Sequence, residues 1–244
     1  MITFLIPTAK EMKPLKTVSP ETLPDKSQAL LEEMTNLSLE DLIKAYKVKP
    51  ELAQKEADRW EKLALGQAET YPALELFNGL MYRHMKRDGL SAENQTFMEN
   101  QVFITSSFYG IIPAFYPIAE HRHDFHTKVK VAGQSLKAFW RPDYDAFLQS
   151  LKGPVVSLLS SEFEEVFSPD IREKLITVRF MEERGGGLKT HSTISKKARG
   201  AFLTAAMENS CQTVDNLRQL QFSDFQYRED LSTVDKLVFV KRVE

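Results

Sequence analysis

The residues that most suggest chemistry are Ser195-Lys-Lys-Ala-Arg-Gly200, where three cations surround a glycine at what the pattern predicts is the start of a helix. A helix start is its positive pole, and each lysine there costs about 0.3–1 kcal/mol unless an anion sits among them. At a helical repeat, Ala198, Ala201, Phe202, Ala205 and Ala206 share one side and predict a core-facing stripe. Lys196, Lys197 and Arg199 lie around the rest, and Gly200 leaves the backbone open to approach. The free amides of a first turn point outward along the axis, so the segment predicts a phosphate cradle. The alternative is a solvated cationic face.

Three further constellations compete with it. Lys44, Lys47, Lys49 and Lys55 surround the turn of a predicted helical hairpin. Such hairpins bind DNA backbone through turn amides and cations, without reading base sequence. Their turns usually carry glycine, which "KVKP" lacks, so a helix pair packed on the core is the alternative. His121-Arg122-His123-Asp124-Phe125-His126 offers three imidazoles and a carboxylate, but its spacing matches no familiar zinc pattern and no metal site is expected. Glu162 follows Ser160 at the carboxyl end of a predicted buried strand, where α/β proteins place their sites. It is the candidate general acid or base. Cys211 has no activating neighbour, and no Walker A loop, dinucleotide fingerprint or nucleophile elbow is present.

The elements that must position these residues alternate along the chain. Strands are predicted at 2–6, in "QVFITSSF", "HTKVKVAGQSL" and "GPVVSLLSSE", in a pair around the triple glycine at 185–187, and in "DKLVFVKR". Helices are predicted at 23–36, from Ser38 to Lys47, from Pro50 to about Leu65, at 72–85, at 91–100 and at 137–151. Pro142 argues against an unbroken helix at the last of these. The mixed order predicts α/β or α+β with a mixed sheet. The 244 residues suffice for a full core, and a net charge of −2 does not announce a nucleic-acid partner, though a local basic patch is compatible with it. A lone cysteine and the absence of a signal or membrane-spanning pattern predict a cytoplasmic protein.

Taken in order, "PTAK", "FNGLMY", "SSFYG", "EHRHDF", Phe139-Trp140, "LLSSEF", "KKARG" and "LVFVKR" carry a resemblance from Lys10 to Arg242. The chain resembles the YaaA peroxide-stress family, of the kind found in Gram-positive bacteria. The resemblance implies one domain over residues 1–244, a mixed sheet wrapped by helices (a cantaloupe-like fold). It implies a cytoplasmic protein that protects cells from hydrogen peroxide by limiting free iron and DNA damage. It further implies a helix-hairpin-helix unit at about 39–63 and a positively charged cleft with Lys10, Arg122, Lys196, Lys197 and Arg199, near Tyr82 and Glu162. No cofactor is expected. The chain departs from the family at Leu80, where the family has an acidic residue, and in "IIPAFYP", which lacks its arginine and aspartate. Duplex DNA, gripped by its backbone, is the expected partner. A phosphorylated small molecule or damaged nucleotide, turned over by Glu162, is the alternative, and iron held by "HRHDFH" is a third.

Overall fold

The computed structural model describes residues 1–242. Its elements run β1 (Thr3–Pro7), α1 (Asp25–Thr35), α2 (Leu39–Tyr46), α3 (Pro50–Ala64), β2 (Thr70–Pro72), α4 (Ala73–Leu76), α5 (Leu80–Arg83) and α6 (Ala92–Gln101). They continue with β3 (Val102–Ser106), β4 (Gly110–Pro113), β5 (Pro117–Ala119), β6 (Lys130–Val131), β7 (Gln134–Ser135), α7 (Leu136–Ser150), β8 (Val155–Ser157), α8 (Ser161–Glu164) and α9 (Pro169–Arg172). The last are β9 (Leu175–Arg184), β10 (Gly187–Lys189), α10 (Ser192–Glu208), α11 (Val214–Arg218), β11 (Gln221–Phe222), β12 (Phe225–Tyr227) and β13 (Lys236–Arg242).

Nine strands form one sheet in the order β11-β12-β13-β9-β8-β1-β3-β4, with β10 on β9. The central run from β13 to β3 is parallel, and its flanks β4 and β12-β11 are antiparallel. This is the α/β mixed sheet expected. Strand β1 is apolar and buried from Thr3 to Ile6, as a strand covered on both faces must be. Its two neighbours place a switch in chain direction beside it: β3 is laid down on one side and β8 later on the other. Crevices beyond the carboxyl ends of strands at such a switch are where α/β folds bind ligands.

Several local expectations need correction. The segment 72–85 is not one helix. It is β2 followed by two single-turn helices, because Phe77 is extended, bridges to Met12, and the next amide, Asn78 N–H, donates to Glu11 O at 2.7 Å. "HTKVKVAGQSL" is not one strand. Ala132 and Gly133 both take positive φ and fold it into the small β6–β7 hairpin. Pro142 does sit inside an unbroken α7, held on either side of the proline by Trp140 Nε1 donating to Ser107 O (2.7 Å) and Tyr144 Oη donating to Ser106 O (2.9 Å). Most consequentially, α10 begins at Ser192 and not at Ser195. "KKARG" therefore lies in its second and third turns, where the amides are already spent on the helix.

Candidate functional site

A cavity of about 600 Å³ opens at the carboxyl ends of β1 and β8. Its walls come from five places: the loop after β1 with Lys10, α5 with Tyr82, the loop after β5 with Arg122 and Asp124, the start of α8 with Glu162, and one face of α10. On α10 the lining residues are Thr193, Lys196 and Arg199. Their spacing of three places them on one stripe of the helix.

The 121–126 loop is fixed largely from the α2–α3 hairpin. Glu56, fully buried on α3, accepts the Arg122 N–H at 2.8 Å and is ion-paired to Arg59, which also pairs with Glu120. Trp60, four residues on, packs against His121 and His123 and donates Nε1–H to Tyr46 Oη at 3.0 Å. On the other side Phe125 packs edge-on against Phe163 of α8, with ring centroids 5.4 Å apart. That contact brings Asp124 and His126 up to Glu162. Sequence reasoning did not find Glu56, although a signal existed. A glutamate shares the buried face of α3 with Ala53 and Trp60, and a charge on a core face requires a partner.

The imidazoles of His121 and His123 are buried among aromatic rings, and His123 also borders the cavity. His121 Nδ1 is 2.9 Å from Ala119 O and His123 Nδ1 is 2.8 Å from Ser107 Oγ. Burial pushes them down to about 4 and about 3, so both are neutral at pH 7. Among the described residues, no three His, Cys, Asp or Glu side chains stand together in a way that could hold a metal ion.

The cleft itself is an arrangement of charge. Lys10 is ion-paired to Asp124 and Arg83 to Glu11. His126 Nε2 lies 3.1 Å from Glu162 Oε2. Burial raises the Glu162 pKa, the Asp124 charge adds to that, and His126 and Lys10 offset part of it. Burial lowers the Arg199 pKa, with Glu164 acting against the shift. Among the described residues Arg122, Lys196 and Arg199 have no ion-pair partner. Cations held at a concave wall without counter-charge are what an anionic ligand would complete.

The structure thus brings together Lys10, Arg122, Lys196, Arg199 and Glu162, with Tyr82 beside them. Lys47, from the hairpin turn, lines a smaller cavity of about 80 Å³ that shares Lys10, Arg122, Asp124 and His126 with the larger one. Lys44, Lys49 and Lys55 are exposed on the hairpin and line neither cavity. Lys197 is exposed on α10 but lies off the cleft stripe. Gly200 is buried, and its open backbone faces protein. A Cβ there would stand 2.2 Å from Met81 O, so the glycine lets α10 close on α5 and presents nothing to a phosphate.

Residues 2–231 match the protein family described as peroxide stress protein YaaA. The chain is 66% identical over 244 residues to UPF0246 protein str1967 of Streptococcus thermophilus strain CNRZ 1066, covering all of this chain and 99% of that one. It is 58% identical over 242 residues to UPF0246 protein spyM18_2163 of Streptococcus pyogenes serotype M18, covering 99% of each. Among the described residues, no helix is long and apolar enough to cross a membrane. With the match running through β1, the 121–126 loop, α8 and α10, the chain belongs to the YaaA peroxide stress protein family, and a general role in oxidative stress goes with that membership.

Proposed function

We propose that the protein acts in the cytoplasm under peroxide stress by gripping the phosphate backbone of duplex DNA without reading its sequence, and so helps limit iron-driven damage. The observation that carries this is the continuity of two cavities. Lys47 at the hairpin turn and Lys10 and Arg122 of the cleft line adjoining spaces with shared walls, and Lys196 and Arg199 extend the same cationic track. Leu80 adds to it by lining the cleft where an acidic residue would repel phosphate. Fluorescence anisotropy of a short duplex across a salt series tests the proposal. Each phosphate contact contributes about 0.9 to the slope of log affinity against log salt. Arg122→Ala/Lys196→Ala should therefore flatten the slope by about 1.8. Absence of binding even at low salt would sink it.

A second function is favoured by one observation, the half-buried Glu162 with its raised pKa. A carboxyl group whose pKa is raised by burial, set beside cations, suits general acid or base work on a phosphorylated small molecule or damaged nucleotide. Under this alternative Glu162→Gln retains ligand and loses turnover. Equal turnover in the two proteins would remove it.

A further inference from the structure

The large cavity contains more than cations. Of seven buried side-chain polar atoms without a hydrogen-bond partner among the described residues, three belong to this cavity and come from three different segments: Glu162 Oε1, His123 Nε2 and Arg199 Nε. All three residues line the same space. Buried polar atoms are nearly always satisfied, and three orphans around one cavity are a strong sign of an absent ligand. Their chemistry restricts what that ligand is. Arg199 Nε–H requires an acceptor, and Lys196 on the same helix and Arg122 from the loop after β5 line the same cavity without ion-pair partners among the described residues. That set of cations fits a phosphate. Glu162 and the neutral His123 offer instead a mixed set of donor and acceptor positions, which fits an uncharged polar edge. Leu80, Met81 and Phe163 supply apolar surface between them.

Size narrows the choice again. At about 600 Å³ the cavity matches small-molecule sites and cannot admit a duplex. A backbone that runs from Lys47 past Lys10, Arg122 and Lys196 reaches cations lining this space without filling its volume. We propose that the cleft receives a single nucleotide unit, its phosphate against Arg122, Lys196 and Arg199 and the hydrogen-bonding edge of its base against Glu162 and His123. The unit is either a nucleotide displaced from the stack of a bound strand or a free nucleoside monophosphate. This rests on the phosphate-binding role proposed above and specifies what the same site holds beyond backbone. A displaced nucleotide costs unstacking, least where it is already unpaired, so the site would favour DNA carrying an unpaired nucleotide.

The experiment compares a fully paired duplex with the same duplex carrying one bulged nucleotide, by anisotropy at fixed salt. Free deoxynucleoside monophosphates, the matching nucleosides and inorganic phosphate are then measured separately by calorimetry. The expected result is a preference of about tenfold or more for the bulged duplex, the size of one or two charge-assisted hydrogen bonds. Glu162→Gln, an isosteric change, should bring that preference close to one, and Arg199→Lys should reduce it. Equal affinity of wild type for the two duplexes, with no calorimetric signal from monophosphates, overturns the inference and leaves the backbone-binding role standing. Binding of a monophosphate with no binding of either duplex sustains the pocket, assigns it to a free nucleotide and overturns the DNA role. Phosphate binding as tightly as every monophosphate, with no bulge preference, reduces the site to an anion site and also overturns the inference.

Discussion

The two histidine- and lysine-bearing segments of this chain make an instructive pair. The α10 segment, "KKARG", looks like a dedicated anion site in sequence, and the 121–126 loop, "HRHDFH", looks like an incomplete metal site. In the fold their standing is nearly reversed. Only Lys196 and Arg199 of the first reach the cleft, and Gly200 is a packing contact. The second contributes Arg122, His123, Asp124 and His126 to the cleft walls, while the imidazoles of His121 and His123 sit in an aromatic core. The difference lies in periodicity. A helix distributes consecutive charges around its axis, so at most every third or fourth faces one ligand. An irregular loop clamped at both ends can aim adjacent residues alternately inward and outward. Here Glu56 and Trp60 clamp one end and Phe125 the other.

The largest expected effect concerns the core side of the loop. His121 and His123 have lowered folded pKa values, so the unfolded chain takes up their protons first as pH falls. Their contribution to stability is full above pH 6.5 and is lost as pH falls toward about 3–4. At about 1.4 kcal/mol per pKa unit, and about 2.5 units for each residue between pH 6.5 and pH 4, the pair withdraws roughly 7 kcal/mol by pH 4. Glu56 and Glu162, with raised values, act in the opposite direction over the acid range. Ring-proton NMR checks this directly: His121 and His123 should both stay neutral at pH 5. Protonation of either at pH 5 would remove it from the buried face of the loop.

Next in size is the clamp. Glu56→Ala leaves the Arg122 amide without its acceptor and Arg59 with Glu120 alone, and should cost about 1.5–3 kcal/mol, read by urea unfolding. An effect under about 1 kcal/mol would mean that the loop is not held from the hairpin. On the helix side, Gly200→Ala forces a Cβ into Met81 O and should cost about 1–3 kcal/mol, with the α10–α5 contact loosened. A neutral or stabilising result, as helix propensity alone would give, would restore Gly200 as an exposed position. The smallest effect is the most selective. Lys196→Ala should reduce the DNA salt slope by about 0.9, and Lys197→Ala should leave it unchanged. Equal losses would show that the whole charge run, and not one stripe, meets the ligand.

The central strands β1, β3, β8, β9 and β13 and the longer helices were legible because their periodicities are local properties. The apolar run of β1, the Ser38 cap of α2 and Pro50 at the first position of α3 all appear where the pattern places them. The Ser38 cap accepts the Asp41 N–H at 3.2 Å, as its spacing predicts. Two of the failures share one cause. The break at 77–79 and the unbroken passage through Pro142 each depend on contacts with distant segments. Residue types along the chain determined the family, the mixed α/β class and the inventory of cleft side chains. Which of those side chains face one another was decided by tertiary structure alone. Lys10 and Asp124 are more than a hundred residues apart, and only the placement of β1 beside β8, with the hairpin clamping the loop, makes them a pair.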